Sequence, residues 1–184
     1  MFDDAIDRLR GAGYTVQWRV LDACHYGVPQ SRPRLFIVAL HGLVGFEWPK
    51  RVPLETTCLD LLEADAQPRP PPPSMRAALE RYAIDPTLRG IWHCDVYGFQ
   101  LRGSGRVRCP VREQIAPCLV SKQPGLYVNH EQRLLTGRES LRLQGLHIDP
   151  PCGLSDAQVR RLAGNAVCMP VLAALFMQVL KCDT

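Results

Sequence analysis

The chain lacks any apolar run of the ~20 residues that a membrane-spanning helix requires, so no membrane partner is expected. It also lacks a basic leader. Met1-Phe2-Asp3-Asp4 is acidic where a secretory signal needs positive charge, and a cytoplasmic protein is expected. Eight cysteines are present, at 24, 58, 94, 109, 118, 152, 168 and 182, yet no two stand in C-x2-C spacing. Without paired short-range ligands or an oxidising destination, neither a zinc cluster nor a disulfide framework follows. His93, Cys94, Cys109 and Cys118 are too scattered to gather a metal, and no metal site is assigned. Free thiols in or near the core are the expectation. Internal repeats are absent, and charge is nearly balanced, with a formal net of +4.

A length of 184 residues suits one domain or one domain with a small appendage, and an apolar fraction of 46% can fill a core. The best-specified stretch is Ala23 to Leu40. It sets a Gly/Pro turn and two arginines, Arg32 and Arg34, ahead of a run of apolar β-formers. In an extended chain the two guanidinium groups leave the same face. The five apolar residues from Leu35 read as a strand buried on both sides, which would hold those arginines at a fixed edge. Such an edge suits an anion or a polar base edge; it also suits two solvated side chains at a strand end. Ahead of it, residues 4–9 predict a short helix, with Ile6 and Leu9 on one face. Tyr14 to Val20 predict a half-buried strand with Tyr14, Val16, Trp18 and Val20 on the apolar side. So short a connection between two strands makes them antiparallel.

Further on, Thr56 or Thr57 to Glu63 predicts a helix. The run Gln67-Pro68-Arg69-Pro70-Pro71-Pro72-Pro73-Ser74 predicts a stiff spacer, followed by a helix over Met75 to Tyr82. Residues 86–128 read as a small, irregular, β-rich module, with β-like pieces at Ile91–Tyr97, Val107–Val111, Cys118–Ser121 and Leu126–Asn129. Between Leu101 and Lys122, Arg102, Arg106, Arg108, Arg112 and Lys122 stand against the single acid Glu113, an excess that suits a polyanion. The tail is sharper. Thr136-Gly137-Arg138-Glu139 and Ser155-Asp156-Ala157-Gln158 are capping boxes that open two helices. Gly164-Asn165-Ala166-Val167 interrupts the second. Pro170 then starts a last helix with Val171, Leu172, Leu175, Phe176, Val179 and Leu180 on one broad face.

Three blocks carry a family resemblance. Tyr26-Gly27-Val28-Pro29-Gln30-Ser31-Arg32-Pro33-Arg34 resembles the Q-x-R-x-R motif of the C5-cytosine DNA methyltransferases. Arg133-Leu134-Leu135-Thr136-Gly137-Arg138-Glu139-Ser140-Leu141-Arg142-Leu143-Gln144-Gly145 resembles that family's R-x-L-T-x-R-E-x-x-R-L-Q-G block. Gly164-Asn165-Ala166-Val167 is similar to its C-terminal G-N-[AS]-V block. The three stand in the family's order, with a variable module between the first two.

The resemblance implies an α/β fold: the last strands of a Rossmann-like methyltransferase sheet, a small β-rich target-recognition domain, and C-terminal helices. Residues 1–66 would be the end of the catalytic domain, 67–128 the recognition module and 129–184 a helical tail returning to the catalytic domain. Arg34 would face the O2 of a cytosine flipped out of double-stranded DNA, with Gln30 and Arg32 bracing the site or its phosphates. Asn165 and Ala166 would close part of an S-adenosylmethionine pocket. Arg102, Arg106 and Arg108 are candidate DNA contacts, to phosphate as readily as to base. Arg138, Glu139 and Arg142 would hold a helix rather than touch substrate.

The family's other half is missing from the sequence. No P-C-Q, E-N-V or F-x-G-x-G motif occurs, since the first asparagine is Asn129 and Pro117-Cys118 and Pro151-Cys152 precede Leu119 and Gly153. Two expectations follow: a split methyltransferase whose partner chain supplies nucleophile, acidic residue and most of the cofactor site, or a non-catalytic DNA-binding remnant. A start codon misplaced within a full-length enzyme would read the same way.

Overall fold

A computed structural model of the chain describes residues 2–42, 45–67, 70–71, 73, 76, 80, 85–93, 114–121, 125–150 and 152–182. Arg102, Arg106 and Arg108 lie outside the described residues. So do the predicted strand at Val107–Val111, half of the spacer and most of the predicted helix over Met75 to Tyr82. Helix α1 (Phe2–Gly11) leads through Gly13, at φ +86°, into β1 (Tyr14–Asp22). A 3-10 turn at Ala23–His25 follows, then β2 (Pro33–His41). As expected, β1 and β2 are antiparallel, with Tyr14 opposite His41 and Asp22 opposite Pro33.

The hairpin corrects the sequence reading in one respect: the sides are exchanged. Directly opposed residues share a face, and the buried side is that of Leu21, Phe36, Val38 and Leu40. These pack on Phe46, Trp48, Val171 and Leu175. The polar members of β1 on that side are covered by the segment after β2: Gln17 donates to the Phe46 carbonyl at 3.2 Å and accepts from the Trp48 indole at 3.1 Å. Arg19 lies 5.2 Å from the Trp48 ring centre. Trp18, Val20, Leu35 and Ile37, expected inside, are exposed; α1 reaches only the near end, where Ile6 and Val16 are buried and Phe2 meets Trp18 edge-on.

A second sheet orders β3 (Ile91–His93), β4 (Leu126–Val128) and β5 (Arg133–Leu134) as an antiparallel triplet. Its buried cluster draws on Cys58, Ile91, Ala116, Leu119, Leu126, Leu135, Leu141 and Val159, so residues from all three assigned segments share one core. Cys118–Ser121 is not a strand, because side chains take its backbone groups: Gln30 Oε1 accepts from Leu119 N and Arg32 donates to Leu119 O. The helix expected from Thr56 or Thr57 to Glu63 is a pair of turns instead. Thr57 and Asp60 cap each other, but the Glu63 amide is captured by the Glu139 carboxylate at 2.9 Å and so is diverted from a helical carbonyl.

Both capping boxes form. They open α2 (Gly137–Arg142) and α3 (Asp156–Asn165), and α4 (Met169–Val179) ends the described fold. Of the broad face expected on α4, Val171 and Leu175 are buried while Phe176 and Leu180 are exposed. Within Asp156–Val179 an 18-residue stretch has the mean hydropathy of a membrane span, 1.7. The break at Ala166–Cys168 divides it into helices of 10 and 11 residues. Each is about 16 Å long, half of a bilayer core.

Candidate functional site

The turn between β1 and β2 is tied down at both ends. Asp22, the last residue of β1, accepts from the Arg32 amide at 2.7 Å and caps the 3-10 turn through Cys24 N. Gln30 is fully buried; it donates to the Leu143 carbonyl and accepts from Leu119 N. The first and second sequence blocks are thereby joined, and Gln30 has no atom left for a ligand.

Arg32 joins the first block to the third. It is 5% exposed. Nη1 donates to Leu119 O at 2.8 Å and to Cys118 Sγ at 3.2 Å; Nη2 donates to Gly164 O at 3.0 Å and Ala166 O at 2.8 Å. Burial lowers its pKa from the ordinary arginine value, Cys118 opposes that fall and Arg34 adds to it. Its planar fork suits four acceptors at once, whereas a lysine head could not satisfy them. Of its three nitrogens, Nε alone has no partner among the described residues.

Helix α3 can come close enough to offer its terminal carbonyls because residue 164 is glycine. A Cβ there would stand 2.7 Å from Ser121 N and 2.8 Å from the Val120 carbonyl carbon. Gly145, at φ +74° and against Pro170, brings the end of α2 onto the start of α4 in the same manner.

Arg34 is different. It is exposed, and its contacts are the carbonyl of Pro33 at 2.8 Å and Cys118 Sγ at 3.3 Å. Both arginines reach one sulfur, so they do leave one side of the chain. A cavity of about 200 Å³ lies beside them, lined by Leu21, Arg32, Arg34, Leu35, Phe36 and, from the other end of the sequence, Asn165, Ala166, Val167, Cys168 and Val171. Four of the five residues singled out for catalysis or cofactor binding thus line one cavity; Gln30 lies behind it.

Sequence reasoning missed Asp22, whose role is set by the hairpin register, and Cys118, which the Pro117-Cys118 dipeptide offered only as a failed match. Burial raises the pKa of Cys168, which keeps that wall of the cavity neutral. Cys58 is buried and Cys152 exposed. The second block has the structural part expected of it. Glu139, fully buried, receives Arg133 through two bonds of 2.7 and 2.8 Å, and Arg142 donates to Leu61 O at 3.0 Å. Arg138 pairs with Glu63 and Asp149.

The family described as C-5 cytosine-specific DNA methylase matches residues 1–65 and 74–181. Type II methyltransferase M.NgoBI of Neisseria gonorrhoeae is 31% identical over 94% of this chain and 53% of its own length. Type II methyltransferase M.HaeII of Haemophilus aegyptius is 32% identical over 92% of this chain and 52% of its own. The chain therefore spans about half the length of these curated relatives. Among solved structures, S. pombe Dnmt2 methyltransferase superposes with a TM-score of 0.68 at 16% identity, covering 98% of this chain and 61% of that one. The Entamoeba histolytica methyltransferase EhMeth gives 0.67 at 16%, covering 99% and 58%. That likeness is one of fold: mixed α/β, with part of a Rossmann-like methyltransferase architecture. With family match, relatives and fold in agreement, this chain belongs to the C-5 cytosine-specific DNA methylase family.

Proposed function

We propose that the chain is the C-terminal, target-reading portion of a DNA (cytosine-5-)-methyltransferase, which moves a methyl group from S-adenosylmethionine to C5 of cytosine in duplex DNA. It does so with a partner that carries the P-C-Q and E-N-V motifs. The observation that carries this reading is the cavity in which Arg34, Arg32, Asn165 and Ala166 meet.

Arg34 is the group with a guanidinium free for substrate, since Arg32 and Gln30 are spent on carbonyls and an amide. A fixed cation beside the cytosine O2 stabilises the negative charge that reaches the ring as a nucleophile adds to the neighbouring carbon. Arg32 holds Arg34 and the 164–166 backbone in register with each other. The cofactor, when bound, supplies the electrophilic methyl group. Leu21, Phe36, Val167 and Val171 suit one apolar side of it, and the Asn165 amide can hydrogen-bond to it. At about 200 Å³ the cavity is smaller than the ~300–1,000 Å³ of whole small-molecule sites. Among the described residues, no carboxylate lines it to receive ribose hydroxyls. These residues fit an edge of the cofactor and leave the rest to the complementary half.

Residues 74–112, with Arg102, Arg106 and Arg108, are proposed to read and grip the DNA, and exchanging them for a relative's should change the target sequence. The relatives' designation as type II methyltransferases makes a restriction–modification setting, in the cytoplasm, part of the proposal. The decisive variant is Arg34→Ala in the enzyme assembled with its partner: turnover should fall by 10² or more with DNA affinity changed less than threefold. Equal losses in both would make Arg34 a phosphate contact.

A further inference from the structure

Beyond the end that α1 covers, at Val16 and the edge of Trp18, the face of the hairpin turned away from α4 is apolar and uncovered. Val20 stands opposite Leu35, and Trp18 opposite Ile37; the four are 57%, 46%, 52% and 44% exposed. Neighbouring cross-strand pairs on one face make a single patch, and no charged residue stands on that face from Tyr14 to Val20 or from Leu35 to His41. Among the described residues β2 pairs only with β1 along its length. Its other edge runs from Leu35 to Leu40 without the lysine, proline or inward charge that guards a natural edge strand. Two strands alone are marginal in water, and a third strand or a helix on the bare face is what makes such a unit stable. Leu35 belongs both to the patch and to the cavity lining, so the patch reaches the edge of the cavity.

We propose that this hairpin is the docking site of the complementary methyltransferase half, which adds a strand to the free edge of β2 and lays apolar side chains on Trp18, Val20, Leu35 and Ile37. This rests on the partner reading above. The occupant is that half rather than a second copy, because the curated relatives carry about as much chain again as is present here. A patch that is half of a sheet's face also calls for the sheet's remainder. Docking and completion of the cavity are then one event, and neither half holds cofactor tightly alone.

The test co-expresses the chain with a methyltransferase half that carries P-C-Q and E-N-V, and measures the affinity of the purified pieces. Trp18→Glu and Ile37→Lys should each weaken association roughly tenfold or more, while Leu88→Glu, exposed beside β3, changes it less than twofold. Thermal melting of each free variant verifies that it is folded. Hydrogen exchange supplies a readout without mutation: β2 amides not bonded to β1 should slow at least about 100-fold on association. No association of the wild-type pieces would remove the partner reading itself. Association that tolerates both charged substitutions would overturn the docking site and leave the partner reading standing. Self-association abolished by Trp18→Glu, with partner binding intact, would assign the patch to a second copy and overturn the proposal as well.

Discussion

Arg32 Nη2 donates to the carbonyl of Ala166 at 2.8 Å, across 134 positions of sequence. With the companion bonds to Gly164 and Leu119, one buried guanidinium holds the arginine turn, the Cys118–Ser121 segment and the end of α3 together. Shortening it strands three carbonyls. Arg32→Ala should cost about 3 kcal/mol or more, and Arg32→Lys about 2 kcal/mol, because an ammonium cannot serve the same acceptors. Urea denaturation checks the loss, and hydrogen exchange should quicken first at residues 164–168.

Glu139 and Arg133 form the other buried pair, with both side chains about 2% exposed or less. Burial alone would lower the Arg133 pKa, but the Glu139 and Glu131 carboxylates together outweigh it and hold it up. Glu139→Gln leaves a buried cation half-paired and also weakens the cap on Thr136 N and the tie to Glu63 N. The expected loss is about 3–5 kcal/mol. In a protein of this size that is a fall in Tm of roughly 10 °C, read by calorimetry.

Gly164→Ala puts a methyl group against the 120–121 backbone, where nothing soft can yield. The expected cost is about 1–3 kcal/mol. Arg32→Ala should then add little in the double variant, since the clamp is already opened. A double-mutant cycle measures this: a coupling below ~0.5 kcal/mol would separate the two.

Stability should fall on the alkaline side. Burial raises the pKa of Cys168, and burial with help from Asp22 raises that of Cys24; burial raises Tyr26 as well. Each folded-state pKa lies above its unfolded value. The contribution is therefore complete below the ordinary thiol range and is lost as pH rises through it toward the folded values. Unfolding free energy measured from pH 7 to 10 should decline, and Cys168→Ala should flatten part of that slope.

Much of this fold is legible locally. Thr136/Glu139 and Ser155/Gln158 predict two helix starts because the caps involve residues three apart. The antiparallel hairpin follows from the brevity of the connection, and the cation edge from alternation at Arg32 and Arg34. Alternation cannot say which side of a strand is covered, and here both sides of β2 are apolar. The structure half-buries Phe36 and Val38 and leaves Leu35 and Ile37 bare. The turns at Thr57–Glu63 were illegible for the same reason: Glu139, 76 residues away, takes the amide a helix needed. Of the site, sequence supplied the residues. It could not tell that Arg32 is consumed by the fold and Arg34 is not, because that depends on where the 119, 164 and 166 carbonyls arrive.

The most direct measurement is methyl transfer from labelled S-adenosylmethionine to duplex DNA. It compares this chain alone, the P-C-Q polypeptide alone, and the two co-expressed. The account predicts label at C5 of cytosine only in the co-expressed sample, and its loss with Arg34→Ala. Label incorporated by this chain alone would contradict it, and so would a co-expressed pair that binds DNA but transfers nothing.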